Sequence, residues 1–359
     1  MPRGLIKSFS RTIKTEFKNN IPTNLEVFLT EVGLFKRFSK FLTRYSIFYF
    51  RGHKKFEIKR IDERHKKILW INISATSLGD SLMDLSSRVM LQNKEIDLLT
   101  DQKNECLYQY DKFFKNVFTV GSIDIKKNYD LVILDSYSSR SLKIKYQYAK
   151  NVVFVGMYGF FNGCDVNRTL YSFYQMNYLL GSKSKEKIIN EIAKPYLYLG
   201  KENFQIVENF FLPKKFVSFA LGGDWQYRKY ENWELVIEKI FETDPNIKII
   251  LLGSKNGLDS EQKIKKRFGE KIISFVDKLS FLETSAIIKK SELIFCSDGG
   301  LMHAAHSLNT PTISLFARVK PEMRTTNQIK NISIFDPSNV NNIKPYKIFR
   351  RYLEFYPLL

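Results

Sequence analysis

A carboxylate followed by two glycines and, three residues on, a histidine can seat a phosphate. Asp298-Gly299-Gly300-Leu301-Met302-His303 stands between an apolar run of strand type, Leu293 to Cys296, and a helical pattern on Leu301, Ala304, Ala305 and Leu308. Asn309-Thr310-Pro311 stops that helix, and Thr312 to Phe316 reads as a second strand. Strand, glycine turn, helix and strand have the length a parallel crossover needs. Glycines let the backbone approach a ligand closely, and the free N–H groups opening the helix favour an anion there. Asp298 ends its strand on the side where open α/β sheets bind ligands. Such turns are also common in crossovers that bind nothing, so the surrounding residues must supply the specificity.

Three further groups could do chemistry. Ser77-Leu78-Gly79-Asp80 follows the strand-like Ile68 to Ile73, and Asp84 adds an acid one helical turn later. On its own this is a helix start with an Asp stabilising its N-terminus. Gly222-Gly223 closes the run Phe216 to Leu221 and leads to Arg228-Lys229, on its own a solvated cation pair in a loop. A guanidinium holds phosphate oxygens in bidentate fashion. Glu261, beyond the strand Ile247 to Leu252, reads on its own as an exposed helix acid. His53, His65 and His306 form no pattern with His303. Asp80 and Asp84 stand too far apart for an Asp-x-Asp metal pair, so no divalent ion is expected.

Together these stretches resemble the heptosyltransferase-type enzymes, glycosyltransferase family 9. The resemblance covers roughly residues 67–320 and is weakest in the middle of the first half. It rests on Asp298-Gly299-Gly300-Leu301-Met302-His303-Ala304-Ala305, on Ser77-Leu78-Gly79-Asp80, and on the loop Gly222 to Trp233. It implies a nucleotide-sugar donor, ADP-heptose in most of that family, bound at Gly222, Gly223, Arg228, Lys229, Asp298, Gly299, Gly300, Leu301 and His303, with the diphosphate itself at Gly299, Gly300 and Arg228. Asp298 would order the Gly299-Gly300 turn. Glu261 and Leu279 would approach the nucleoside. Ser77 and Gly79 would belong to an acceptor loop, and Asp80 would be the catalytic base, with Asp84 its internal competitor. Three positions depart from the family's pattern: Ala317-Arg318-Val319 replaces Gly-x-Thr, Glu231 replaces a proline, and Ser86 replaces another.

The elements that must hold these residues alternate in the α/β manner. Beyond the strands above, Ile96 to Thr100, Val117 to Val120, Leu131 to Leu134, Val152 to Val155 and Ile272 to Val276 pattern as strands. Trp233 to Phe241 and Ser260 to Phe268 pattern as helices, with Trp233 on a core face. The expected fold is α/β of the GT-B kind, two Rossmann-like parallel-sheet domains facing a cleft. Its parts are a basic N-terminal arm (1–65), an acceptor domain (66–205), a donor domain (206–340), and a C-terminal helix (341–359) that could return to the first domain.

Charge points to an acidic partner. The 359 residues carry 57 Lys+Arg against 37 Asp+Glu, a formal net charge of +20. Through Lys67 alone there are 17 basic and 6 acidic residues. One helical stripe is Leu5, Phe9, Ile13 and Phe17; a second is Phe35, Phe38, Phe41, Leu42, Tyr45 and Phe48. Basic helices with aromatic faces suit an anionic membrane surface, and Phe9, Phe17, Phe38 and Phe41 could insert. They could equally pack on the chain's own core. No recognition module for nucleic acid accompanies the charge. Cys106, Cys164 and Cys296 make no metal spacing, no apolar run reaches the ~18 residues of a membrane span, and no signal-peptide core is visible. The expectation is a cytoplasmic protein, peripheral on the inner face of the cytoplasmic membrane. The resemblance implies an inverting, metal-independent glycosyltransferase without cofactor, acting on an anionic lipid-linked glycan of the lipopolysaccharide core. The alternatives are a GT-B transferase with another nucleotide sugar, and a catalytically silent assembly protein on the membrane.

Overall fold

The apolar runs pair into two separate parallel sheets. The computed structural model describes residues 23–24, 34–122, 128–160 and 165–355. The chain divides into two units, Met1–Lys194 and Pro195–Leu359. The helix Lys201–Glu208 therefore belongs to the second unit.

In the first unit a two-residue strand β1 (Thr23–Asn24) precedes a five-stranded sheet: β2 (Lys67–Asn72), β3 (Glu95–Thr100), β4 (Asn116–Thr119), β5 (Leu131–Leu134) and β6 (Phe154–Gly156). β7 (Asp165–Val166) pairs antiparallel with β1. The sheet order is β4-β3-β2-β5-β6, all parallel. β2 and β5 are buried on both faces, as central strands covered by helices must be, which is why they read as unbroken apolar runs. The apolar pattern alone would carry a single helix to about Leu91; instead Leu78–Asp84 ends at Leu85 and a 3-10 turn, Ser86–Leu91, follows. The Ser86 hydroxyl donates to the Met83 carbonyl (2.7 Å), a local bond that competes with the helical ladder.

The second unit holds β8 (Val217–Leu221), β9 (Ile249–Gly253), β10 (Ile272–Ser274), β11 (Leu293–Ser297), β12 (Thr312–Ala317) and β13 (Asn331–Asp336). Their order is β10-β9-β8-β11-β12-β13, again parallel throughout. β13 is an addition to the expected strands; it lies at the sheet edge and is only half-buried, so its apolar signal is weak. Trp233 lies in the core with Phe219, Phe295 and Tyr352. The C-terminal helix Pro345–Phe355 buries Ile348 and Tyr352 in this same core.

Both sheets run outward from their first strand and then reverse beside it. The reversals fall between β2 and β5 and between β8 and β11, and the carboxyl ends of those strands are where doubly wound sheets bind ligands.

The basic helix Leu34–Phe50 packs on the first unit. Phe41 and Phe48 sit in its core with Tyr137, Phe154 and Phe160, so Phe41 does not face outward for insertion. A different stripe, Phe35, Leu42 and Tyr49, recurs every seven residues and is exposed, Phe35 at 85%. The stripe Leu5 to Phe17 lies outside the described residues. Beside the helix, His53 is buried, and burial with the Lys145 and Arg51 charges pushes its pKa down to about 4, so it is neutral at pH 7. It is a core residue.

Candidate active site

In the second unit, the residues singled out for a donor all follow the carboxyl ends of strands. Gly222, Gly223, Arg228 and Lys229 come after β8, Glu261 after β9, Leu279 after β10, and Asp298 to His303 after β11. The β8 loop needs its glycines: Gly222 has φ 93° and Gly223 φ 157°, and a Cβ on Gly222 would stand 2.2 Å from Asn256 Oδ1. Asn341 clamps the far side of this loop, accepting from the Glu231 N–H (2.8 Å) and donating to the Lys229 carbonyl (2.9 Å). Gly299 and Gly300 are different. A Cβ there would meet the protein only at ordinary distances, so these glycines answer to no crowding within the chain. They open the nine-residue helix Gly300–Leu308, with its free N–H groups at the reversal point.

Asp298 joins the two loops. Its carboxylate, 2% exposed, lies 3.3 Å from Arg228 Nη1, 3.8 Å from His303 Nε2 and 4.0 Å from Arg324 Nε. It faces these side chains, whereas the resemblance implies that it orders the Gly299-Gly300 turn. Arg228 Nε and Asp298 Oδ2 are buried and make no hydrogen bond. Buried charge left under-satisfied in this way is typical of sites built for a ligand. Arg228 and Arg318 both lie over the Tyr227 ring, at 5.4 and 4.1 Å from its centroid. Lys229 reaches Asp259 (3.7 Å), while Glu261 is buried and pairs with Lys265 (3.2 Å). Leu279 and Leu301 are both half-buried. Burial and the neighbouring His303 hold the His306 pKa well below its usual range, and His306 Nε2 lies 3.3 Å from the Thr312 hydroxyl.

In the first unit the β2 loop is fastened from four directions. Asp135, at the end of β5, accepts from the N–H groups of Ile73 (2.8 Å) and Ser74 (2.7 Å). Arg140 donates to the Ile73 carbonyl (3.1 Å) and Lys103 to the Thr76 carbonyl (2.6 Å). The Ser74 hydroxyl contacts those of Ser136 and Ser141. Ser77 then caps the helix, accepting from the Asp80 N–H at 3.2 Å, and Gly79 is buried in its first turn. Asp80, half-buried, accepts from the Thr76 hydroxyl at 2.5 Å.

Asp84 has a different environment. It is buried, ion-paired to Arg168 through two nitrogens, and accepts from the Tyr158 hydroxyl (2.8 Å). Burial pushes its pKa up while the Arg168 guanidinium opposes. Arg168 reaches Asp80 as well, at 3.6 Å.

Residues 166–336 match the model of glycosyltransferase family 9 (heptosyltransferase). These residues form a family 9 glycosyltransferase domain. The protein is a glycosyltransferase. Solved structures share the fold, two parallel-sheet domains of the GT-B type. A family 9 glycosyl transferase from Veillonella parvula aligns with a TM-score of 0.69 at 13% identity, over 84% of this chain and 100% of that one. The E. coli ADP-heptose lps heptosyltransferase II aligns at 0.61 and 16%, over 80% and 98%. The E. coli heptosyltransferase WaaC with ADP aligns at 0.53 and 15%, over 81% and 98%. No curated protein sequence matches the chain.

The family 9 span begins two residues before Arg168, and the Asp80 turn lies outside it. Arg168 and Arg324 belong to no pattern that marks them in the sequence, and Tyr227, though inside the Gly222 to Trp233 loop, is not singled out there. Arg168 has one local signal, Asn167 capping a helix by accepting from the Leu170 N–H, but nothing in it points back to Asp80. Among the described residues, no group of three His, Cys, Asp or Glu is placed to hold a metal ion.

Proposed function

We propose that this protein is an inverting, metal-independent glycosyltransferase that moves heptose from ADP-heptose to an anionic, lipid-linked acceptor of the lipopolysaccharide core. The observation that carries the donor half is the Arg228–Asp298 ion pair beside the start of the helix Gly300–Leu308, at the reversal of the second sheet. A cation and free N–H groups together stabilise a departing diphosphate. The acceptor hydroxyl forms the new bond to the anomeric carbon from the opposite face. The bond to the diphosphate breaks with its electron pair, and Asp80 takes the hydroxyl proton. The choice of ADP-heptose rests on the family 9 match and on two E. coli neighbours, one named an ADP-heptose heptosyltransferase and the other solved with ADP. Thermal-shift screening against nucleoside diphosphates and their sugars tests it. An ADP-selective rise supports the reading. Selectivity for another base favours a different donor, which the departures at Glu231 and Arg318 suggest. No response to any nucleotide supports a silent assembly protein instead.

The acceptor's anionic lipid places the enzyme, in this proposal, on the cytoplasmic face of the inner membrane, held through residues 1–65. The exposed stripe Phe35, Leu42 and Tyr49 supports this reading, as does the basic excess around it. Basic residues near an anionic surface contribute about 1 kcal/mol each. Full-length protein is expected to sediment with anionic liposomes at low salt, and the triple variant Phe35→Ser, Leu42→Ser, Tyr49→Ser to sediment much less. Equal pelleting of both removes the stripe from the argument. Failure of the full-length protein to pellet sinks membrane attachment altogether.

A further inference from the structure

Arg318 stands in a strained turn directly after β12. The Val319 N–H donates to the Ala317 carbonyl (2.7 Å) across it, and Arg318 takes φ 63°. A three-residue turn with its central residue at positive φ is the rare, strained form, and glycine enters that region at no steric cost. An arginine held there is an outlier of the kind that gathers at ligand sites. Its place in the sheet agrees. The Asp298 N–H donates to the Leu315 carbonyl (2.9 Å), so β12 leaves the sheet beside the turn that opens the helix Gly300–Leu308.

The side chain is held but not neutralised. Its guanidinium carbon lies 4.1 Å from the Tyr227 centroid, and Nε donates to the Ser338 carbonyl (3.4 Å). Among the described residues no carboxylate pairs with it. Arg228 lies over the same ring, 5.4 Å from its centroid, so one aromatic side chain gathers two guanidinium groups. Stacking on a ring leaves the in-plane N–H groups of a guanidinium free for an oxyanion.

We propose that Arg318 is a donor-binding residue that shares the diphosphate with Arg228, and that Tyr227 is the positioning residue that holds its guanidinium there. This rests on the donor-site reading above. Arg228 shares its charge with Asp298 at 3.3 Å, whereas Arg318 brings a charge that no carboxylate offsets. The strained turn is then a loss of stability kept for binding.

Calorimetry with ADP, inorganic pyrophosphate and adenosine, together with thermal melting, tests this on the full chain and on Arg318→Gly, Tyr227→Phe and Tyr227→Leu. Arg318→Gly is expected to melt at or above the parent's Tm, because glycine relaxes the turn, and to bind ADP and pyrophosphate roughly 10- to 100-fold more weakly. Adenosine binding should not change. Tyr227→Leu is expected to lose part of the same affinity, and Tyr227→Phe, which keeps the ring, to retain it. If Arg318→Gly binds ADP as the parent does while Arg228→Ala does not, the inference fails and the donor site stands. If Arg318→Gly melts lower and loses ADP and adenosine alike, Arg318 is a packing residue and the inference fails again. Full ADP affinity in Tyr227→Leu overturns the positioning role of Tyr227. If the parent protein binds neither ADP nor pyrophosphate, the donor-site reading itself falls, and the role of Arg318 with it.

Discussion

Asp80→Asn is expected to lower kcat by ~10²–10⁴-fold, the usual cost of removing a general base. Donor affinity should barely change, because the diphosphate is assigned to residues of the second unit. A hydroxyl is a poor nucleophile, and a carboxylate within reach must take its proton as the bond to the anomeric carbon forms. The fastened β2 loop suits Asp80 to this role. Asp135, Arg140 and Lys103 hold the backbone, so the side chain is aimed with little freedom. Asp84→Asn is expected to behave differently. It leaves the Arg168 guanidinium without its main partner, and breaking a buried pair from one side typically costs ~3–5 kcal/mol. Its signature is a lower Tm, whereas Asp80→Asn should melt close to the parent. Full turnover in Asp80→Asn, with a slow but stable Asp84→Asn, would move the base to Asp84. Unchanged rates in both would reduce the turn to a helix cap.

Arg228→Ala is expected to weaken ADP binding by ~1.5–3 kcal/mol, about 10- to 150-fold, as befits a charge-assisted hydrogen bond. Asp298→Ala should be at least as harmful to donor binding. The reason lies in its contacts: without that carboxylate, Arg228 loses the ion pair that fixes its guanidinium. Calorimetry with ADP reads both variants. If neither changes the affinity, the diphosphate sits elsewhere and the assignment of the β8 and β11 loops is wrong.

Local pattern carried much of this molecule. Ile68 to Ile73 and Leu293 to Cys296 are central strands, and a strand covered on both faces has to be an uninterrupted apolar run. The glycine turns were legible for a similar reason. Gly222 and Gly223 take backbone angles other residues adopt at a cost, and that requirement is written in the residue itself. Edge strand β13 was less legible because its half-exposed face weakens the apolar signal.

What the tertiary structure decided was partnership and burial. Asp80 and Asp84 are near-equivalent in sequence, four residues apart with the same side chain. Only the approach of Arg168 and Tyr158, brought in from beyond β6, buries one as an ion pair and leaves the other half-exposed. Phe41 and Phe35 stand on the same helix with the same ring, and docking against Tyr137 and Phe160 buries the first and leaves the second in solvent. Arg324 carried no motif at all. It reaches Asp298 because β12 lies beside β11, so the segment that follows it ends near that carboxylate. Strand order sets such contacts, and strand order comes from which apolar faces pack together across the whole unit. No window of neighbouring residues contains that information.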